Sequence, residues 1–426
     1  MSFIDNIDVV FEANDKDALS SVRESALTSF KTLGIPSARH EEWKYTHIKT
    51  KLPETLTLAP AAKGNLVSQA KPLKDSIFNN AIKLVFVNGV FDKEASTQSE
   101  QNGLIAGSFR ELKNSHSDIY SKYFNTATDI AKENFAALNT AFAQDGAFVF
   151  VKKGVIADKP IYIIHQYDEH ATDIFTQCRN LVVVEDNAAV NIVEDFYSSV
   201  HFYNHLSEVF IGQNAEVNYY YLQLDTKGSS SVNYVEAKLA RDARYHLSTI
   251  TFDGKLVRNN MNAYMEGENA LATLNGLYIG TAENHIDNHI LVDHRVPNCN
   301  SNQVYKGVLD DASTGVFNGK IFVQPDAQKT NAFQSSKAIL LSDEASMNSK
   351  PQLEIFADDV KCSHGAAIGN VNKNELFYLL ARGIDENTAR GILTYAFAND
   401  VIQAITMPKV REYLDSKLRE RLKIDI

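Results

Sequence analysis

The sequence predicts a mainly β chain, a β-solenoid core with a helical region on either side. Three observations carry this. Helical periodicity is present at both ends and vanishes between them. The middle consists of short stretches rich in Val, Ile, Tyr, Phe and Thr, the residue types that favour strands. Along that middle a polar residue followed by a mostly small one recurs: Asp158-Lys159, Asn187-Ala188, Asn214-Ala215, Asp242-Ala243, Asn269-Ala270, Asn298-Cys299 and Asp326-Ala327. Their first members are separated by 29, 27, 28, 27, 29 and 28 residues. So steady a period marks a stack of equivalent turns. Asn and Asp tolerate the left-handed backbone of tight turns, and a small neighbour leaves room for the turn above. A β-sandwich would also supply short strands, but it has no reason to hold a constant interval.

Residues 1–145 read as a mostly helical N-terminal domain. Leu19, Val22, Ala26, Phe30 and Leu33 recur at helical spacing within 18–33, and Gly34 with Pro36 ends that helix. A strand pair is expected at 83–87 and 90–91, turned at Asn88-Gly89. Helical period returns over 128–142 through Ile130, Phe135, Leu138 and Phe142. Residues 146–368 form the predicted solenoid. Within it Val217, Tyr219 and Tyr221, then Tyr245 and Leu247, alternate as strand residues that face the core. Residues 369–426 are helical again. Asn372 and Glu375 form a capping pair. Gly383 is a stop, and Asp385 caps a second helix with Ile392, Leu393, Ala396, Phe397 and Val401 on one face. Pro408 opens a third, with Val410, Leu414, Leu418 and Leu422 at every fourth position. Such short amphipathic helices must pack on something.

Composition narrows the function. The 426 residues carry 42 basic and 53 acidic side chains, a net charge of −11. A nucleic-acid groove would need the opposite balance. No basic leader with an apolar core opens the chain, and apolar runs such as 147–151 and 181–184 fall far short of the ~18 residues of a membrane span. A cytoplasmic protein without a membrane partner is the expectation. Three cysteines, Cys178, Cys299 and Cys362, exclude a disulfide framework and a self-contained four-thiolate cluster. Cys178 reads as core and Cys299 as a small turn residue.

The sharpest local cluster is Asp358-Asp359-Val360-Lys361-Cys362-Ser363-His364-Gly365-Ala366-Ala367. In an extended chain Cys362 and His364 point to one side, and a thiolate beside an imidazole is half of an iron or zinc site. A lone Cys-x-His is more often a packed thiol beside a satisfied imidazole, and two ligands do not complete a site. His285, His289 and His294 lie among strand residues, where the first two share a face and the third turns away. They read as solvated or turn-bonding. Gly315 to Lys320 has one residue too few for a phosphate loop, and Ile321 stands where Ser or Thr must hold magnesium. No nucleotide is expected on this chain. The acidic pairs Glu194-Asp195 and Asp310-Asp311, tested against a carbohydrate-active solenoid enzyme, place their carboxylates on opposite faces of a strand. The only Trp, in Arg39-His40-Glu41-Glu42-Trp43-Lys44-Tyr45-Thr46, reads as an anchor for the N-terminal domain.

Several of these stretches resemble one family. Lys350-Pro351-Gln352-Leu353-Glu354-Ile355, the Asp358–Ala366 run, Phe377-Tyr378-Leu379-Leu380-Ala381-Arg382-Gly383-Ile384, Ala389 and Ala396-Phe397 resemble the shared signature of the SufB/SufD iron–sulfur scaffold subunits. The Arg39 to Thr46 segment resembles the N-terminal mark of the D-type members. Two departures from the B-type pattern point the same way. Asn331-Ala332-Phe333-Gln334-Ser335 ends in Ser where B-type subunits carry a scaffold Cys, and Gly365 follows His364 where they carry Glu.

The resemblance implies a right-handed parallel β-helix between helical end domains. It implies a non-catalytic scaffold that pairs with a SufB-like subunit and, through its C-terminal helices, with a SufC-like ABC-type ATPase. ATP would bind that partner. A transient iron–sulfur cluster or iron would be shared with the partner subunit, with Cys362 and His364 as this chain's ligands. Sulfur would come indirectly from a cysteine desulfurase system, and the sequence leaves open whether a homodimer forms without the SufB-like subunit. The runner-up reading is the carbohydrate-active solenoid enzyme.

Overall fold

The computed structural model describes residues 7–12, 19–50, 52, 57–58, 78–167, 174–197 and 202–424. In chain order the helices are α1 (Ile7–Glu12), α2 (Ser20–Leu33), α3 (Phe109–Leu112), α4 (Ser117–Tyr123), α5 (Asn134–Phe142), α6 (Lys373–Ala381), α7 (Glu386–Gln403) and α8 (Pro408–Leu422). The strands are β1 (Thr57–Leu58), β2 (Ile82–Val87), β3 (Val90–Phe91), β4 (Ser99–Gln101), β5 (Leu104–Ser108), β6 (Ala147–Val151), β7 (Ile161–Gln166), β8 (Ile174–Val184), β9 (Ala189–Tyr197), β10 (Phe202–Ile211), β11 (Glu216–Asp225), β12 (Ser230–Leu239), β13 (Arg244–Thr251), β14 (Leu256–Met265), β15 (Leu271–Gly280), β16 (His285–His294), β17 (Asn300–Leu309), β18 (Thr314–Val323), β19 (Asn331–Leu340), β20 (Ser346–Ile355) and β21 (Lys361–Gly369).

From β6 onward even strands stack on even strands, and from β7 odd on odd, all in parallel. One even and one odd strand make a turn of the solenoid, and seven such turns run from β8–β9 to β20–β21. Phe202 pairs with Ser230 and Leu271 with Asn300, offsets of 28 and 29 residues that reproduce the period in the sequence.

The recurring marks are the corners between the even and odd strands of each turn. Asn187, Asn214, Asp242, Asn269 and Asn298 all have φ between 54° and 63°. The amide of Asn214 donates to Asn187 Oδ1 at 2.9 Å, and that of Asn269 to Asp242 Oδ1 at 2.7 Å, so neighbouring corners are tied together. The small residues Ala188, Ala215, Ala243, Ala270, Cys299 and Ala327 are buried in a column. Cys299 takes an alanine's place there. Two corners depart from the pattern: Gly154, not Asp158, takes the left-handed conformation after β6, and Lys329, not Asp326, takes it after β18.

Alternation fills the interior. Val217, Tyr219, Tyr221, Tyr245 and Leu247 join one core between the two sheets. The outer faces are covered from opposite ends of the chain. Trp43, Phe135 and Phe142 pack on Phe202, Leu206, Val232 and Tyr234 of the even sheet. Val401, Ile402, Val410, Leu414 and Leu418 pack on Tyr220, Ile250, Leu277 and Val308 of the odd sheet.

Residues 1–145 hold more strand than their helical periodicity implies. Strand β2 extends the odd sheet beside β7, and β5 pairs antiparallel with β6 of the even sheet. The hairpin at Asn88-Gly89 is present, with φ of 52° and 79°. The expected helix over 128–142 begins only at Asn134. The Asp129 carboxylate accepts the Ala131 N–H at 3.1 Å, an Asx turn that competes with helix. At the C-terminus the Asn372 side chain accepts the Asn374 N–H, Asp385 accepts that of Thr388, and Pro408 opens α8. No helix of the described residues is long and apolar enough to cross a membrane.

Candidate functional site at the open end of the solenoid

The last turn, β20–β21, has no strand on its far side among the described residues. Its register shows where its side chains point. Cys362 pairs with Ala332 and His364 with Gln334, both buried inward-facing residues of β19. Cys362 and His364 therefore share the inward face of the solenoid, as their spacing predicts. His364 is nevertheless exposed, Cys362 is half-buried, and inward Ile368 is 48% exposed. No further turn of the described residues lies over them. The burial that remains pushes the Cys362 thiol above its ordinary value, so a ligand there must displace a proton.

The two departures from the B-type pattern meet across the strands, since Ser335 pairs with Gly365. Both lie on the outward face. A side chain at Gly365 would meet nothing within 4 Å, so the absent carboxylate reflects residue choice and not lack of room. Pro351 in β20 has no N–H to offer an incoming strand, and its place at an exposed edge is where a strand tolerates it. Beyond this end α6 buries none of its residues, and leaves Phe377 72% and Tyr378 58% exposed.

The histidines of β16 are placed by strand alternation, but they are not solvated or turn-bonding. His285 Nε2 lies 2.9 Å from Thr46 Oγ1, and His289 reaches Asp287 at 3.0 Å and Glu42 at 3.4 Å. The His289 hydrogen bond pulls the Glu42 carboxyl down to about 2 against the effect of burial. Arg258 stands 3.9 Å from the Trp43 ring centre and donates to the Glu42 carbonyl at 2.7 Å. The segment around Trp43 is thus an anchor onto the even sheet. His294 faces inward, fully buried, 2.9 Å from Ser301 Oγ.

The acidic pair at 194–195 splits across β9. Asp195 turns outward to Tyr162 and Tyr197. Glu194 turns inward and meets His165 and His205, a group that residue-by-residue reading did not assemble. The period held the clue, because 165 and 194 are 29 residues apart, one turn of the solenoid. Cys178, which reads as plain core, has an imidazole neighbour in that group: its sulfur lies 3.6 Å from His165 Nδ1.

Residues 166–397 match the family described as SUF system FeS cluster assembly, SufBD core domain, and residues 2–163 match the SufBD protein N-terminal region. The chain is 30% identical over 407 residues to an iron–sulfur cluster assembly SufBD family protein of Synechocystis, a match covering 92% of this chain and 89% of that protein. It is 27% identical over 394 residues to iron–sulfur cluster assembly protein SufD of Escherichia coli, covering 91% and 90%. The SufD protein of Bacillus subtilis is 26% identical over 421 residues, covering 95% and 94%.

Proposed function

The chain belongs to the SufBD family of iron–sulfur cluster assembly proteins, and on that premise we propose that it is a scaffold, not an enzyme, that holds iron or a forming cluster jointly with a SufB-like subunit. The observation that carries this reading is the uncovered last turn. Cys362 and His364 face the solenoid axis at its open end, where a second solenoid can complete both the stack and the ligand set.

Each residue has a distinct part. The His364 imidazole offers a neutral nitrogen ligand. The Cys362 thiol, held protonated by partial burial, becomes a thiolate ligand when a cation displaces its proton. Two protein ligands leave coordination positions for the partner subunit and for sulfide, so the cluster remains transferable. The exposed aromatic face of α6 supplies a docking surface for a SufC-like ATPase, which would bind the ATP. Helices α7 and α8 are packed on the odd sheet, so movement of the docked ATPase would be passed to the solenoid through them.

The test is reconstitution of the complex with His364→Ala, reading cluster formed per complex and complex size. Loss of cluster with intact assembly is expected. Normal cluster yield would remove His364 from the site. A stable stoichiometric cluster on the isolated chain would contradict sharing.

A further inference from the structure

The first turns of the solenoid enclose a second set of metal-ligand side chains, remote in the stack from the open end. We propose that His165, Glu194 and His205 form a closed site for one divalent transition ion of the zinc or ferrous class.

The three residues come from β7, β9 and β10, so they converge from both sheets. Their ligand atoms lie within 4.8 Å of one another. His165 Nε2 is 2.7 Å and His205 Nε2 2.9 Å from Glu194 Oε1. Two imidazole nitrogens and one carboxylate oxygen form a donor set that suits zinc and ferrous iron. All three side chains are buried.

The far atom of each residue also has a partner. His165 Nδ1 faces Cys178 Sγ at 3.6 Å, and His205 Nδ1 faces the Tyr221 hydroxyl at 3.4 Å. Glu194 Oε2 accepts from the Tyr219 hydroxyl at 2.6 Å. Outer partners of this kind fix the tautomer and orientation of metal ligands.

Asn180 closes one side of the group, and its Nδ2 also lies 3.0 Å from Ser207 Oγ. The Asn180 amide is oriented by its Oδ1, which accepts the Ala147 N–H at 2.8 Å. Its Nδ2 therefore points into the cluster, 2.6 Å from Glu194 Oε1 and 3.0 Å from His205 Nε2. Ligands 2.0–2.1 Å from a tetrahedral ion stand about 3.3 Å apart, so the nitrogens would move about 0.5 Å from Glu194 Oε1. The buried position implies that the ion enters as the turns stack.

The full chain would be produced in zinc- or iron-supplemented medium and, separately, refolded from denaturant with Zn²⁺ or, anaerobically, Fe²⁺. Each sample is dialysed against EDTA, and metal per chain is measured. One retained ion per chain is expected, unchanged in a Cys362→Ala/His364→Ala variant, which separates this site from the open end. Glu194→Gln and His205→Asn should each lower retention about tenfold or more. Should either variant fail to fold, the retained ion must still raise the wild-type unfolding temperature over metal-free chain. A natively folded wild type that retains no ion by either route overturns the proposal. So does undiminished retention in a folded Glu194→Gln.

Discussion

The middle turns and the last turn share one architecture and differ in what lies above them. In both, odd and even strands alternate inward and outward residues at the same register. In the middle turns inward Tyr219, Tyr245 and Leu247 are buried beneath the next turn. In the last turn inward Cys362, His364 and Ile368 sit on an equivalent face with no turn above it. Inward direction and burial are therefore separate properties. The first is local and set by the strand; the second requires a neighbour. A repeat that ends without a polar cap leaves its core face for a partner to cover.

The largest expected difference between the two regions is in stability. Leu247→Ala should cost about 2–5 kcal/mol, since it opens a cavity between stacked turns. Ile368→Ala should cost about 1 kcal/mol or less, since half of that side chain already faces water. Urea unfolding of the isolated variants measures both, and equal losses would show that the end is covered.

A second contrast concerns acid. Burial pushes His294 in the middle turns down to about 4, so the unfolded chain takes up a proton that the folded one refuses. Stability from this residue is complete above its ordinary value near 6.5 and falls as pH drops toward 4, by about 3 kcal/mol over that window. Buried His165 acts in the same direction. His294→Asn should flatten the acid limb in urea titrations at pH 7 and pH 4.5, and an unchanged limb would sink the assignment.

The glycines give a smaller effect. A Cβ on Gly276 would lie 2.1 Å from the Tyr305 ring, whereas one on Gly365 would meet nothing within 4 Å. Gly276→Ala should cost about 1–3 kcal/mol by overpacking. Gly365→Ala should be neutral or stabilising by about 0.4–1 kcal/mol, because it restricts only the unfolded chain. Thermal melts of the pair would blur the comparison if both variants lost stability alike. The smallest stability effect is expected on α6. Phe377→Ser should change the isolated chain by no more than about 0.5 kcal/mol, yet weaken the proposed docking of a SufC-like ATPase in a pull-down with that protein purified. Undiminished binding would move the docking surface elsewhere.

Much of the fold was legible because its signals are local. Asn at a left-handed corner, alanine beside it and Asn372 at a helix start each act through their own backbone. The solenoid period, the hairpin at Asn88-Gly89 and the C-terminal caps follow from such residues. The start of α5 differs from the apolar spacing, which continues through 128–133, because the Asp129 side chain captures the backbone there. Strand β5, and the seating of the expected strand β2 beside β7, are not legible in the N-terminal region because what holds them is pairing with β6 and β7, far along the chain.

The candidate site divides in the same way. The shared face of Cys362 and His364 follows from their two-residue spacing, and the family signature is written in that segment. Sequence alone thus determined the repeat, its corners, the family and the pair of ligand-type residues. Only the tertiary structure decided that this pair lies at an uncovered end, that His289 and Glu42 serve an anchor, and that Glu194 leaves its acidic neighbour to meet two histidines. Each of those outcomes depends on which turn or segment lies against which face, and that contact is made by residues distant in the chain.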